Sequence, residues 1–88
     1  MPVLSMFYGI IIRMYWRDND RRKKPHFHAY YGEREAVFDF DGEIISGEFP
    51  AKQSAIVKAW ALLNKEDLEA NWELAVNGEE LFKIRPLQ

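Results

Sequence analysis

Residues 7 to 16 read FYGIIIRMYW, ten positions of mostly apolar, aromatic and β-branched character with one charge. That pattern predicts a strand rather than a helix, with Gly9 marking a bulge or a close neighbour. Tyr8, Ile10, Ile12, Met14 and Trp16 fall on its buried side. Residues 17 to 25 (RDNDRRKKP) are polar and end in proline, so they read as a loop. A second strand is expected from His26 to Tyr31 and a third from Ala36 to Phe40, with a turn around Gly32, Glu33 and Arg34. Asp41-Gly42 is a hairpin signal leading to a short fourth strand from Glu43 to Ser46, and Gly47 and Pro50 stop the sheet.

From Ala51 the apolar period changes from 2 to 3.6. Ile56, Ala59, Trp60 and Leu63 form one helical stripe, and Leu68, Trp72 and Ala75 form another. Asn64 closes the first helix and is a candidate N-cap for the second, with Asp67 as an imperfect capping box. Asn77-Gly78 is a C-cap, and Leu81, Phe82 and Ile84 make an extended apolar tail ending before Pro86. The fold class is α+β: a four-stranded antiparallel sheet (β-β-β-β) followed by a helical hairpin packed on one face. One domain spans 1–88, with the sheet at 7–46, the helices at 51–77 and the tail at 79–88.

Strand parity sorts side chains between the two faces. Phe27, Ala29, Ala36, Phe38 and Phe40 belong to the core. That leaves His26, His28, Tyr30 and Asp39 opposite, with Arg13 and Tyr15 from the first strand. For both apolar sets to share a face, paired numbers across the second and third strands must sum to an odd number. A two-residue loop at Glu33-Arg34 places His28 beside Asp39; a loop at Gly32-Glu33 places His26 there instead.

Composition narrows the class. Eighty-eight residues support one core, and thirteen aromatic side chains are enough to build it. No cysteine is present, which excludes disulfide scaffolds and thiolate metal sites. The apolar fraction excludes disorder, and no apolar run approaches the length of a membrane span. The N-terminus lacks the basic start of a signal peptide, so a soluble cytoplasmic protein is expected. The net charge of −2 hides a split. Residues 1–31 hold six basic and two acidic residues; residues 32–88 hold six basic and twelve acidic residues. Arg17, Arg21, Arg22, Lys23 and Lys24 are the candidate nucleic-acid contacts, with a solvated loop as the simpler reading.

His26, His28, Arg13, Tyr15 and Asp39 are the candidate catalytic set. Histidine titrates near pH 6.5 and a neighbouring carboxylate raises that value; arginine stabilises a phosphorane-like charge and tyrosine orients or donates a proton. Such a group can cleave RNA in a metal-independent, ribonuclease-like way. Alternatively, the H-x-H pair with Asp39 can bind zinc or nickel, or the histidines simply pack a sheet face or a homo-oligomer interface. No phosphate loop, nucleophile elbow or cofactor motif occurs, so no cofactor is expected.

The segments FYGIIIRMYWRDN, PHFHAYYGE, DGEIISGEFP, EDLEANWELA and IRPL closely resemble the domain of unknown function 4160 family of small prokaryotic proteins. PHFHA, at Pro25 to Ala29, is the most specific part. The resemblance implies a type II toxin–antitoxin-type module with a cognate small partner of the domain of unknown function 2442 family. It less firmly implies action on RNA or translation by the toxin-like member. It supplies no catalytic residues. Lys24 stands where the family usually has a second proline, and Asn64 where it commonly has a histidine. The alternative is a non-catalytic protein- or DNA-binding antitoxin or regulator, and a metal-binding protein is the third reading.

Overall fold

The first apolar run folds back on itself instead of forming one strand. Tyr8 and Gly9 both take positive φ, 50° and 78°, the combination that lets a two-residue turn follow the right-handed twist of its strands. The computed structural model describes residues 3–15 and 24–88. In it β1 (Val3–Phe7) and β2 (Ile10–Arg13) flank this turn, followed by β3 (His26–Tyr31), β4 (Arg34–Asp39) and β5 (Ile44–Gly47). All neighbours are antiparallel, in the order β1-β2-β3-β4-β5.

The sheet therefore has five strands, not the expected four, and begins at Val3. The missed turn carries tyrosine where asparagine or glycine is the usual signal, so it hides inside an apolar run. Tyr8, expected in the core, is 60% exposed at its tip. Gly9 is also a close neighbour: a Cβ there would lie 3.2 Å from the Tyr31 ring.

Two helices, α1 (Ala51–Leu63) and α2 (Lys65–Val76), cover the inner face. Trp60 packs edge-on to Phe27 at 5.6 Å between ring centres and against Phe7 at 5.4 Å. That anchor sets the orientation of α1. Val57 and Ala61 are buried beside Trp60, whereas Ala59 and Leu63, expected inward, are exposed. In α2, Leu68 and Ala75 are buried as expected and Trp72 is half-buried. Asn64 closes α1, but its side-chain amide donates to the Trp60 carbonyl at 2.9 Å and makes no cap for α2. The end of α2 follows the expected pattern. Gly78 takes φ 71°, and the Gly78 and Glu79 amides return to the carbonyls of Ala75 and Leu74, which is a Schellman motif.

Buried Asn71 then holds the chain that follows. It donates to the Asp67 carbonyl and accepts from the Phe82 amide at 2.8 Å. Further along, Trp60 Nε1 donates to the Arg85 carbonyl, and the Ile84 amide donates to the Leu4 carbonyl at 2.7 Å. The tail thus lies along the edge of β1. Among the described residues no helix is long and apolar enough to cross a membrane.

Candidate functional site

Pairing of β3 with β4 runs from Tyr31↔Arg34 to His26↔Asp39. The hairpin loop is therefore Gly32-Glu33, the second of the two registers considered above, and it puts His26 beside Asp39. On the other side of β3, His28 faces Arg13 and Tyr30 faces Ile11. Two cross-strand rows result on the outer face: Arg13, His28 and Val37, then Ile11, Tyr30 and Glu35. Tyr15, just beyond β2, sets its ring edge-on to His28 at 4.4 Å and shares a hydroxyl–hydroxyl hydrogen bond with Tyr30. Arg13, Tyr15, His26, His28, Tyr30 and Asp39 do gather at one face. They divide into two environments.

The first is closed. His26 is only 3% exposed. Its ring lies 5.1 Å from Trp72 of α2, and Nδ1 is 2.8 Å from the Lys24 carbonyl. Asp39 is buried as well, and one of its oxygens accepts from the Asp41 and Glu43 amides at 3.0 and 2.9 Å. The other receives the Lys24 ammonium at 3.4 Å. Burial pushes the Asp39 carboxyl upward, but the two amides and Lys24 outweigh it and hold the group below its ordinary value. This carboxylate organises the turn from β4 into β5. The turn in turn meets the helices through exposed Lys58–Glu43 and Lys65–Asp41 ion pairs, each at 2.7 Å. Gly42 allows the approach: it takes φ 85°, and a Cβ there would sit 2.7 Å from the Lys58 Cα.

The second environment is open. The His28 side chain is 17% exposed, and its Nδ1 lies 3.4 Å from a Glu35 oxygen on the next strand. A carboxylate facing Nδ1 favours the tautomer with Nδ1 protonated and turns Nε2 away from the carboxylate, the arrangement of an imidazole set up for proton transfer. The Arg13 guanidinium comes from the neighbouring strand, where positive charge can oppose a developing oxyanion. Burial first, then the Tyr15 hydroxyl and Glu35, push the Tyr30 phenol far above its ordinary value, so it keeps its proton.

Glu35 was not among the candidates chosen from sequence. Parity already put it on the outer face, but only the hairpin register sets it near His28. Arg17, Arg21, Arg22 and Lys23, like Trp16, lie outside the described residues. Lys24, the one residue of that run described, reaches Asp39 while most of its side chain stays exposed. Among the described residues, no three His, Cys, Asp or Glu side chains are grouped to hold a metal ion.

The family described as Domain of unknown function (DUF4160) has a model that matches residues 9–73, and the chain belongs to that family. The match begins inside the β1–β2 turn and ends in α2, so it contains the whole outer-face cluster. No curated protein and no solved structure matches the chain.

Proposed function

We propose that this DUF4160 protein is the toxin-like component of a type II toxin–antitoxin-type module, acting on RNA in the cytoplasm and neutralised by a small partner protein of the domain of unknown function 2442 family. The observation that carries the reading is the row Arg13–His28 with Glu35 beside the imidazole. His28 takes the proton of a ribose 2′-hydroxyl. The 2′-oxygen bonds to the adjacent phosphorus, the P–O5′ bond breaks, and the 5′-oxygen is protonated from water. Arg13 offsets the charge that builds on the phosphoryl oxygens, and Glu35 steadies the imidazolium.

The test is expression with and without the neighbouring gene. Wild-type protein alone should arrest growth, co-expression of the partner should relieve the arrest, and His28→Gln should relieve it without unfolding the protein. Growth unaffected by the wild type would sink the reading.

A second reading follows from His26 being buried and Asp39 being committed to a turn: the open part of the face then holds one histidine without a second to serve as acid. On that reading the face binds RNA phosphates and cleaves nothing. Arg13→Ala would abolish RNA retention while His28→Gln left it intact, and no cleavage product would form with either wild type or variant.

A further inference from the structure

The two edges of the sheet are finished differently. The edge of β1 is taken by the C-terminal tail through the Ile84 amide and Leu4 carbonyl, with Ile84 itself buried. Beyond β5, no strand of the described residues pairs. All four β5 residues are exposed, including two large aliphatics, Ile44 at 40% and Ile45 at 48%. An unpaired edge presents a row of backbone donors and acceptors ready to template another strand.

β5 is also held ready. The turn before it is fixed by the Asp39 carboxylate and by the close seat of Gly42 on α1, with the exposed Lys58–Glu43 and Lys65–Asp41 ion pairs adding little at its rim. A rigid strand loses little freedom when a guest docks on it. Its charge selects the guest. Residues 41–49 (DGEIISGEF) hold three acidic residues and no basic one. Lys65 and Lys58 answer Asp41 and Glu43, whereas Glu48 has no ion pair among the described residues. A second copy pairing antiparallel about Ile45 and Ser46 would set Glu43 opposite Glu48 at both ends, and like charges directly opposite are destabilising. The bulge at Ile45, which lies between the partners of Val37 and Phe38, twists the edge away from flat copy-on-copy stacking.

We propose that the β5 edge is a docking site for an extended strand of a different protein, apolar and β-branched at its centre and bearing lysine or arginine at its ends. The guest adds a sixth strand beside β5, its cation meeting Glu48, the carboxylate of this stretch with no ion pair among the described residues. This goes beyond the reading of the outer face and needs no catalysis there, so failure of the growth experiment leaves it standing.

The probe is a short alternating Val/Thr peptide with lysine at both ends, titrated into the full-length protein and followed by amide chemical shifts. A matched peptide ending in glutamate serves as the contrast. Shifts should concentrate at Ile44–Gly47 with the lysine peptide and be absent with the glutamate peptide. Glu48→Lys should weaken the lysine peptide by roughly fivefold, from the usual size of a cross-strand charge pair replaced by repulsion. Glu80→Lys, an equal charge change on the exposed tail, should leave binding unchanged. Equal binding of both peptides, shifts confined to other strands, or self-association lost on Ile45→Lys would each overturn the proposal.

Discussion

His26 and His28 are two residues apart, share a strand and point to the same face, yet they are different chemical objects. His26 sits at the closed end, under Trp72 and beside a carboxylate already committed to backbone amides. His28 sits one pleat along, between Arg13 and Val37, with Glu35 and Tyr15 around it. An H-x-H motif read as a pair hides this. His26 opens β3 within reach of the Trp72 ring of α2, whereas His28, one pair further in, keeps part of its side chain at the surface.

The contrast breaks or sharpens under substitution, and Asp39→Ala should have the largest effect. Two amides and an ammonium lose a buried charged acceptor, which costs about 3 kcal/mol in urea unfolding. Because the carboxyl is held below its ordinary 3.8, its contribution is present above about pH 4 and is lost as pH falls through the lowered value. The acid limb of the stability profile should therefore flatten in the variant. A loss no larger than that of Glu35→Ala would erase the distinction between the two ends.

His26→Ala should come next, at about 2 kcal/mol, since a buried ring is removed from beneath Trp72. Tryptophan fluorescence should shift with it, and a variant as stable as wild type would show that the closed end is not closed. Tyr30→Phe deletes one hydroxyl partner and should cost about 1 kcal/mol. The raised Tyr30 value also means that native stability falls as pH rises above about 10, because only the unfolded phenol ionises readily there. That alkaline decline should shrink in Tyr30→Phe. His28→Ala should also cost about 1 kcal/mol, because a largely covered ring loses its edge contact with Tyr15 and its bond to Glu35. On the proposed function it is nonetheless the variant that abolishes the growth effect.

Much of the outer face was legible from parity, because a buried aromatic series on β3 and β4 leaves only one side for His26, His28, Tyr30 and Asp39. The odd-sum constraint limited the register to a choice of two. What was not legible depended on contacts distant in sequence. Asn71 falls on the Leu68–Trp72–Ala75 stripe of α2, but the period gives no sign of what a buried amide there would bond, and its partners are the Asp67 carbonyl and the amide of Phe82. The stripe on α1 was displaced because Trp60 had to meet Phe27, and that choice exposes Leu63. The role of Asp39 had a local signal that went unused: an aspartate two residues before Asp41 is placed for an Asx turn, and its bond to the Asp41 amide is of that kind.

The tail has a consequence for the order in which the chain can become native. Ile84 is synthesised long after Leu4, so the edge of β1 stays uncovered until the ribosome has passed both helices. Until then the Trp60 indole and the Asn71 amide also lack the carbonyl and amide that complete them. A chain ending at Leu81 would carry those vacancies permanently, with one strand edge bare at each side of its sheet. It would be expected to collect as insoluble aggregate rather than as a smaller version of the same domain.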